Sequence, residues 1–144
     1  MKTTAILDLM VKDHARLMQL LKIAESHFGQ DKDELMKSFH TFEWNLEKHF
    51  FVEERAIFTA YNPEYIDEGY DVFLDLSKQH TNILEKVQIL RKEVEIKEDV
   101  GTSKLKELLI KHKNLEEKKI YPKLDQEIGE GEKRFIIERI NEII

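Results

Sequence analysis

The chain contains six histidines and no cysteine. Disulfides, iron–sulfur clusters, zinc–cysteine sites and thiol nucleophiles are therefore excluded, and any metal must be held by nitrogen and oxygen. Four histidines lie on apolar stripes of helical spacing, where positions i+4 and i+7 return to within about 40° of the starting face. Leu7, Met10, Met18 and Leu21 surround His14; Phe42, Asn45 and Ala56 share a face with His49 and Glu53. Phe73, Leu76, Leu84 and Val87 surround His80, and Leu105, Leu108, Glu116 and Lys119 surround His112. His40 falls about 180° from the His49 face and His27 about 140° from the His14 face, which places both at the surface.

Burying an unpartnered polar group costs about 1–3 kcal/mol, and a charge costs more. A single core histidine is ordinarily explained by a hydrogen bond to a neighbour. One histidine from each of four helices, with Glu53 and Glu116 each one turn beyond a histidine, instead makes six ligands converging on one region: His14, His49, Glu53, His80, His112 and Glu116. An internal repeat supports this, since His49–Phe58 and His112–Tyr121 share the form HxxxEE[RK]xI[FY], and Lys12–Leu17 resembles Lys78–Ile83. Two hairpins, each supplying a histidine and an HxxxE, predict two equivalent sites side by side and hence a dinuclear centre. Sulfur-free histidine and carboxylate ligands suit iron, manganese or zinc. No histidine has a glutamate three residues before it, as ferritin-like di-iron proteins require, and HExxH, GxSxG, Walker and GxGxxG patterns are missing.

The elements that must carry these residues read as long helices. Glycine and proline number only 5 and 2, and the glycines fall between segments of helical period. We place helices over about 4–28, 32–61, 67–98 and 103–121, with Pro63 after the second and Pro122 ending or kinking the fourth. A short additional C-terminal helix over about 132–144 carries Ile136, Ile140, Ile143 and Ile144 on one side, suited to packing on the bundle end or on a second subunit. The expected fold is all-α: an up-down-up-down four-helix bundle over about 4–122 within a single domain, 1–144. No apolar run is long enough for a membrane span or a secretory signal, so the expected compartment is the cytoplasm. The net charge of -6 is spread without a basic cluster, which argues against nucleic acid as a partner. Oligomeric state, monomer or homodimer, is left open.

The order His14, His49xxxGlu53, His80, His112xxxGlu116, followed by Tyr121-Pro122, resembles the hemerythrin-like (HHE cation-binding) domains across essentially the whole bundle. The resemblance implies a non-haem di-iron centre, two iron ions with terminal histidines, bridged by Glu53, Glu116 and an oxo or hydroxo group, with oxygen binding at an open iron position. The oxygen carriers of this group have a fifth histidine where this chain has Leu84, and they place the last carboxylate five residues after its histidine, which would select Glu117. In a regular helix Glu117 lies about 140° from the His112 face, so Glu116 is favoured unless the helix is locally unwound. Four histidines would leave both metals open, favouring reactivity with oxygen, peroxide or nitric oxide over reversible storage. The expected function is binding or sensing of oxygen, iron or a related small gas. The alternatives are an enzyme that reduces peroxide or nitric oxide, a donor of iron for iron–sulfur cluster repair, and a metal-free interaction bundle.

Overall fold

The computed structural model describes residues 5–58, 70–96 and 101–144, and among these no strand occurs. Helix α1 spans Ala5–Ser26, α2 Lys32–Val52, α3 Tyr70–Ile96, α4 Ser103–Leu115, α5 Tyr121–Glu127 and α6 Glu130–Ile143. The expected end of the second helix at Tyr61, its following Pro63 and the two outer limits of the third helix lie outside the described residues. Gly29, at φ 75°, occupies the left-handed region that other residues enter only with strain, and it lets the chain turn after α1. Asp31 then caps α2 by accepting the amide of Asp33 at 2.9 Å.

Two helices do not stop where their α-geometry does. A π-helical turn, Glu53–Ile57, continues α2, and a second, Glu116–Ile120, joins α4 to α5. Phe58 donates its amide to the Glu53 carbonyl and Tyr121 to the Glu116 carbonyl, each five residues back. Pro122 was expected to end or kink the fourth helix. The chain stays helical through it to Glu127, with Pro122 in the first turn of α5 directly after the π-helical turn.

The core forms two clusters. One contains Ile6 and Met10 of α1, Val52, Ala56 and Ile57, Val72, Phe73 and Leu76 of α3, and Ile120, Tyr121 and Leu124. The other contains Leu17 and Leu21 of α1, Leu35 to Phe50 of α2, Ile83 to Val94 of α3, and Leu105 and Leu109 of α4. In α1 and α3 the candidate histidine lies in sequence between the residues of one cluster and those of the other, and His49 and His112 lie close to the same change of cluster along their own segments. The result is an all-helical bundle crossed by a polar layer. Helix α6 packs Ile136 and Ile140 into the first cluster, while Ile144 is exposed. Lys133, fully buried, donates to the Asp125 carbonyl oxygen at 2.8 Å and pairs with Asp125 Oδ1 at 3.3 Å. Asp125 also accepts the amides of Ile6 and Leu7, at 3.2 and 2.9 Å, closing the open start of α1. Among the described residues no helix is long and apolar enough to cross a membrane.

Candidate metal centre

All six predicted site residues are buried, and they meet in that layer. His14, His49, Glu53 and Glu116 bring one ligand atom each within 4.8 Å of one another, and so do Glu53, His80, His112 and Glu116. Both groups use both glutamates. His49 Nε2 stands 2.9 Å from Glu53 Oε1, His14 Nε2 3.1 Å from Glu116 Oε1, and His112 Nε2 3.3 Å from Glu116 Oε1. His80 Nε2 lies 3.1 Å from His112 Nε2 and 3.5 Å from Glu53 Oε1. Ligand atoms about 2.0–2.2 Å from one ion, at right or tetrahedral angles, stand roughly 2.8–3.6 Å apart, so these separations suit edges of a coordination shell. A second sign is that His49 Nε2 and Glu53 Oε1, although adjacent and buried, make no hydrogen bond. Two polar atoms aimed at common space without satisfying each other fit a shared cation.

The opposite nitrogen of every ring is held by an oxygen acceptor. His14 Nδ1 donates to Glu117 Oε2 at 2.6 Å, His49 Nδ1 to Asp13 Oδ2 at 2.5 Å, His80 Nδ1 to Glu54 Oε1 at 2.9 Å and His112 Nδ1 to Gln79 Oε1 at 2.6 Å. Acceptors on all four Nδ1 atoms fix the tautomer and turn every Nε2 inward as a ligand atom. The helical period alone does not predict these outer partners. Asp13 and Gln79 precede His14 and His80 and so lie about 100° off the inward face, turned toward the neighbouring helix. The repeat carried a signal for two of them, because both halves have a Glu-Glu doublet after the HxxxE spacing.

The π-helical turns decide which glutamate does what. Glu116 faces the histidines, whereas Glu117 reaches the outer nitrogen of His14 and belongs to neither four-residue group. Wider turns narrow the angle between neighbouring side chains, so both carboxylates of the doublet reach the site, one from inside and one from the flank. The same change of phase leaves Lys119 exposed, although regular periodicity put it on the His112 face. His40 is exposed and His27 half-buried, and neither joins the site.

Tyr121 is a further site residue that periodicity did not single out. Its hydroxyl donates to Glu53 Oε2 at 2.5 Å and lies 3.0 Å from Glu116 Oε2, tying the two carboxylates together. Burial and then the Glu53 charge push the Tyr121 phenol well above its ordinary value, so it remains a donor. Burial alone would lower His49, but the Glu53 charge and the Asp13 hydrogen bond outweigh it and raise His49 to about 9. Burial likewise would raise Glu53, yet the His49 charge and the inward nitrogens of His112, His49 and His80 around it hold it well below the carboxylate range. Burial dominates at His14 and His112 and lowers both. The layer therefore keeps one proton on His49 facing an ionised Glu53, the place where a cation would take the proton's role.

Beside the centre lies a cavity of about 20 Å³, lined by His14, His49 and His112 with Leu17, Met18, Leu46, Phe50, Leu109 and Lys113. His80 is excluded from it. The Phe50 ring lies flat on His80, with centroids 3.9 Å apart at 15°, and Phe58 covers the ring at 6.0 Å and 12°.

An all-helical bundle with a buried layer of imidazoles and carboxylates, arranged so that it could hold metal, defines the class of this protein. The profile of the hemerythrin HHE cation-binding domain matches residues 5–124, and the chain belongs to that family, whose members bind metal ions, typically iron. No curated protein and no solved structure matches the chain.

Proposed function

We propose that the chain binds two iron ions, one between His14 and His49 and one between His80 and His112, with Glu53 and Glu116 shared between them. The single observation that carries this reading is the pairing of every Nδ1 with an outer acceptor while four Nε2 atoms and two carboxylates converge as two four-ligand groups. The up-down-up-down arrangement belongs to the same reading. It is supported by the alternation in which cluster each successive helix enters first.

When bound, a pair of irons supplies redox chemistry toward small oxidising molecules such as oxygen or nitric oxide. The chain's own residues limit what reaches the centre. A cavity of about 20 Å³ exceeds the ~10–15 Å³ needed for one water-sized guest but is far too small for an organic substrate. Its leucine, methionine and phenylalanine lining accepts an uncharged diatomic molecule and disfavours ions and bulk water. Phe50 and Phe58 shield His80, so a gas would approach beside His14, His49 and His112. Tyr121 holds Glu53 and Glu116 in place and retains its proton there. We therefore assign the chain to binding or sensing of oxygen or a related small gas.

Anaerobic loading with ferrous iron, removal of excess ion, metal analysis and an optical spectrum on exposure to oxygen test the assignment. Two irons per chain and a spectrum that changes with oxygen are expected. A chain that retains no iron, or retains two irons and ignores oxygen and nitric oxide, overturns it.

A further inference from the structure

The two halves of the site are related by the internal repeat, but their outer partners are not equal. His14 and His49 donate to two carboxylates, Glu117 and Asp13, whose side chains are only 19% and 9% exposed. His80 donates to Glu54, 46% exposed, and His112 to the neutral amide oxygen of Gln79. In the repeat, Gln79 stands where the first half has Asp13. A shielded carboxylate on Nδ1–H draws the proton toward itself and makes the opposite nitrogen a stronger donor; an amide does so less, and water screens an exposed carboxylate. Arg16 offsets Asp13 weakly, since its Nη1 is 4.0 Å away and its side chain is half exposed. Aromatic cover from Phe50 and Phe58 over His80 adds no charge to the second half.

We infer that the two metal positions are unequal by construction: the His14–His49 position binds the first ion and favours the higher charge, while the His80–His112 position binds second and releases first, with Gln79 setting the difference. This rests on the two-ion reading above. Gln79 and Asp13 are positioning residues, acting on the ion only through His112 and His49. The consequence for function is a centre in which one position is retained as a fixed ion while the other is exchangeable, so that occupancy of the weaker position can report the availability of metal.

The test uses metal-free chain titrated with cobalt(II), followed calorimetrically and by visible absorption, so that no turnover is needed. Two binding events are expected, the first tighter by about tenfold or more, since losing an outer partner costs about 10–100-fold in affinity. Gln79→Glu, nearly isosteric, should tighten the second event by about tenfold and narrow the gap. Asp13→Asn should weaken the first event and leave the second in place. Circular dichroism on each variant verifies that it is folded; if Gln79→Glu does not fold, Asp13→Asn decides alone. Two events of equal affinity in the native chain overturn the inequality, and variants that leave an observed gap unchanged overturn its assignment to Gln79 and Asp13, while the two-ion reading stands in both cases. Binding of one cobalt or none overturns the two-ion reading itself.

Discussion

At the scale of single residues, the adjacent glutamates Glu116 and Glu117 separate two roles that similar chemistry could confuse. Glu116 contacts inward nitrogens from two helices, and Glu117 holds the outer nitrogen of His14. Glu116→Gln is expected to reduce bound metal from two ions to at most one per chain, whereas Glu117→Gln should keep both with about 10–100-fold weaker affinity. Metal analysis after desalting, with chelator competition, distinguishes them; equal losses in both variants would contradict the assignment. The histidines also set a pH dependence for the metal-free chain. His14 and His112 are lowered by burial, so their contribution to stability is complete above the unfolded value of 6.5 and shrinks as pH falls below it. His49 is raised to about 9, so its contribution is fully present below 6.5 and is lost as pH climbs to about 9. At about 1.4 kcal/mol per pH unit that loss is about 3 kcal/mol. Urea unfolding of metal-free chain should show the decline between pH 6.5 and 9, and loaded chain, whose ion replaces the His49 proton, should not. A metal-free chain equally stable at both pH values would refute the electrostatics assigned to this layer. The four inward histidines and their i+4 glutamates were legible because a helical period alone sorts residues by face. Asp13 and Gln79 were not, because their partners lie on other helices, and Tyr121 stood in the repeat without its contact to Glu53, which crosses between helices.

At the scale of elements, the π-helical turns at Glu53–Ile57 and Glu116–Ile120 are what fit a glutamate doublet to one site. A regular helix separates adjacent side chains by about 100°, which would carry the second glutamate away from the flank of the histidine it holds. A π-turn amounts to one extra residue in the helix, so deleting an exposed residue within it should restore α-geometry. Deletion of Lys118 is expected to keep the far-ultraviolet helical signal and lose tight metal binding, because Glu117 swings away from the outer nitrogen of His14. Retention of two ions by the deletion variant would show that the turn is incidental. The sequence contained the condition for this feature but not its location. The doublets suit a regular helix as solvated charges equally well, and only competition among neighbouring helices for space and hydrogen bonds selects the wider turn.

At the scale of the whole molecule, a polar layer between two apolar clusters is costly without a cation, and the surrounding packing must hold it together. Helix α6 contributes through the buried Lys133–Asp125 pair, which also closes the start of α1. Asp125→Ala removes the acceptor for two amides and leaves the buried Lys133 ammonium facing the half-exposed Glu130 carboxylate, 3.8 Å away, in place of Asp125, a change expected to cost about 3–5 kcal/mol in denaturant unfolding. A loss below about 1 kcal/mol would mean that the helix docks through Ile136 and Ile140 alone. Lys133 itself was unreadable in advance, since a lysine in a charged segment is ordinarily solvent-facing and its burial depends on where Asp125 is brought.

The sequence by itself determined the helical class, the absence of thiolate ligands, and which six side chains face inward, because composition and a 3.6-residue period are local properties of the chain. Only the tertiary structure decided that both glutamates join both groups, where the second glutamate of each doublet reaches, and which acceptor holds each outer nitrogen. Those are distances between helices, fixed by packing two unequal apolar clusters around one layer, and no spacing along a single helix contains them.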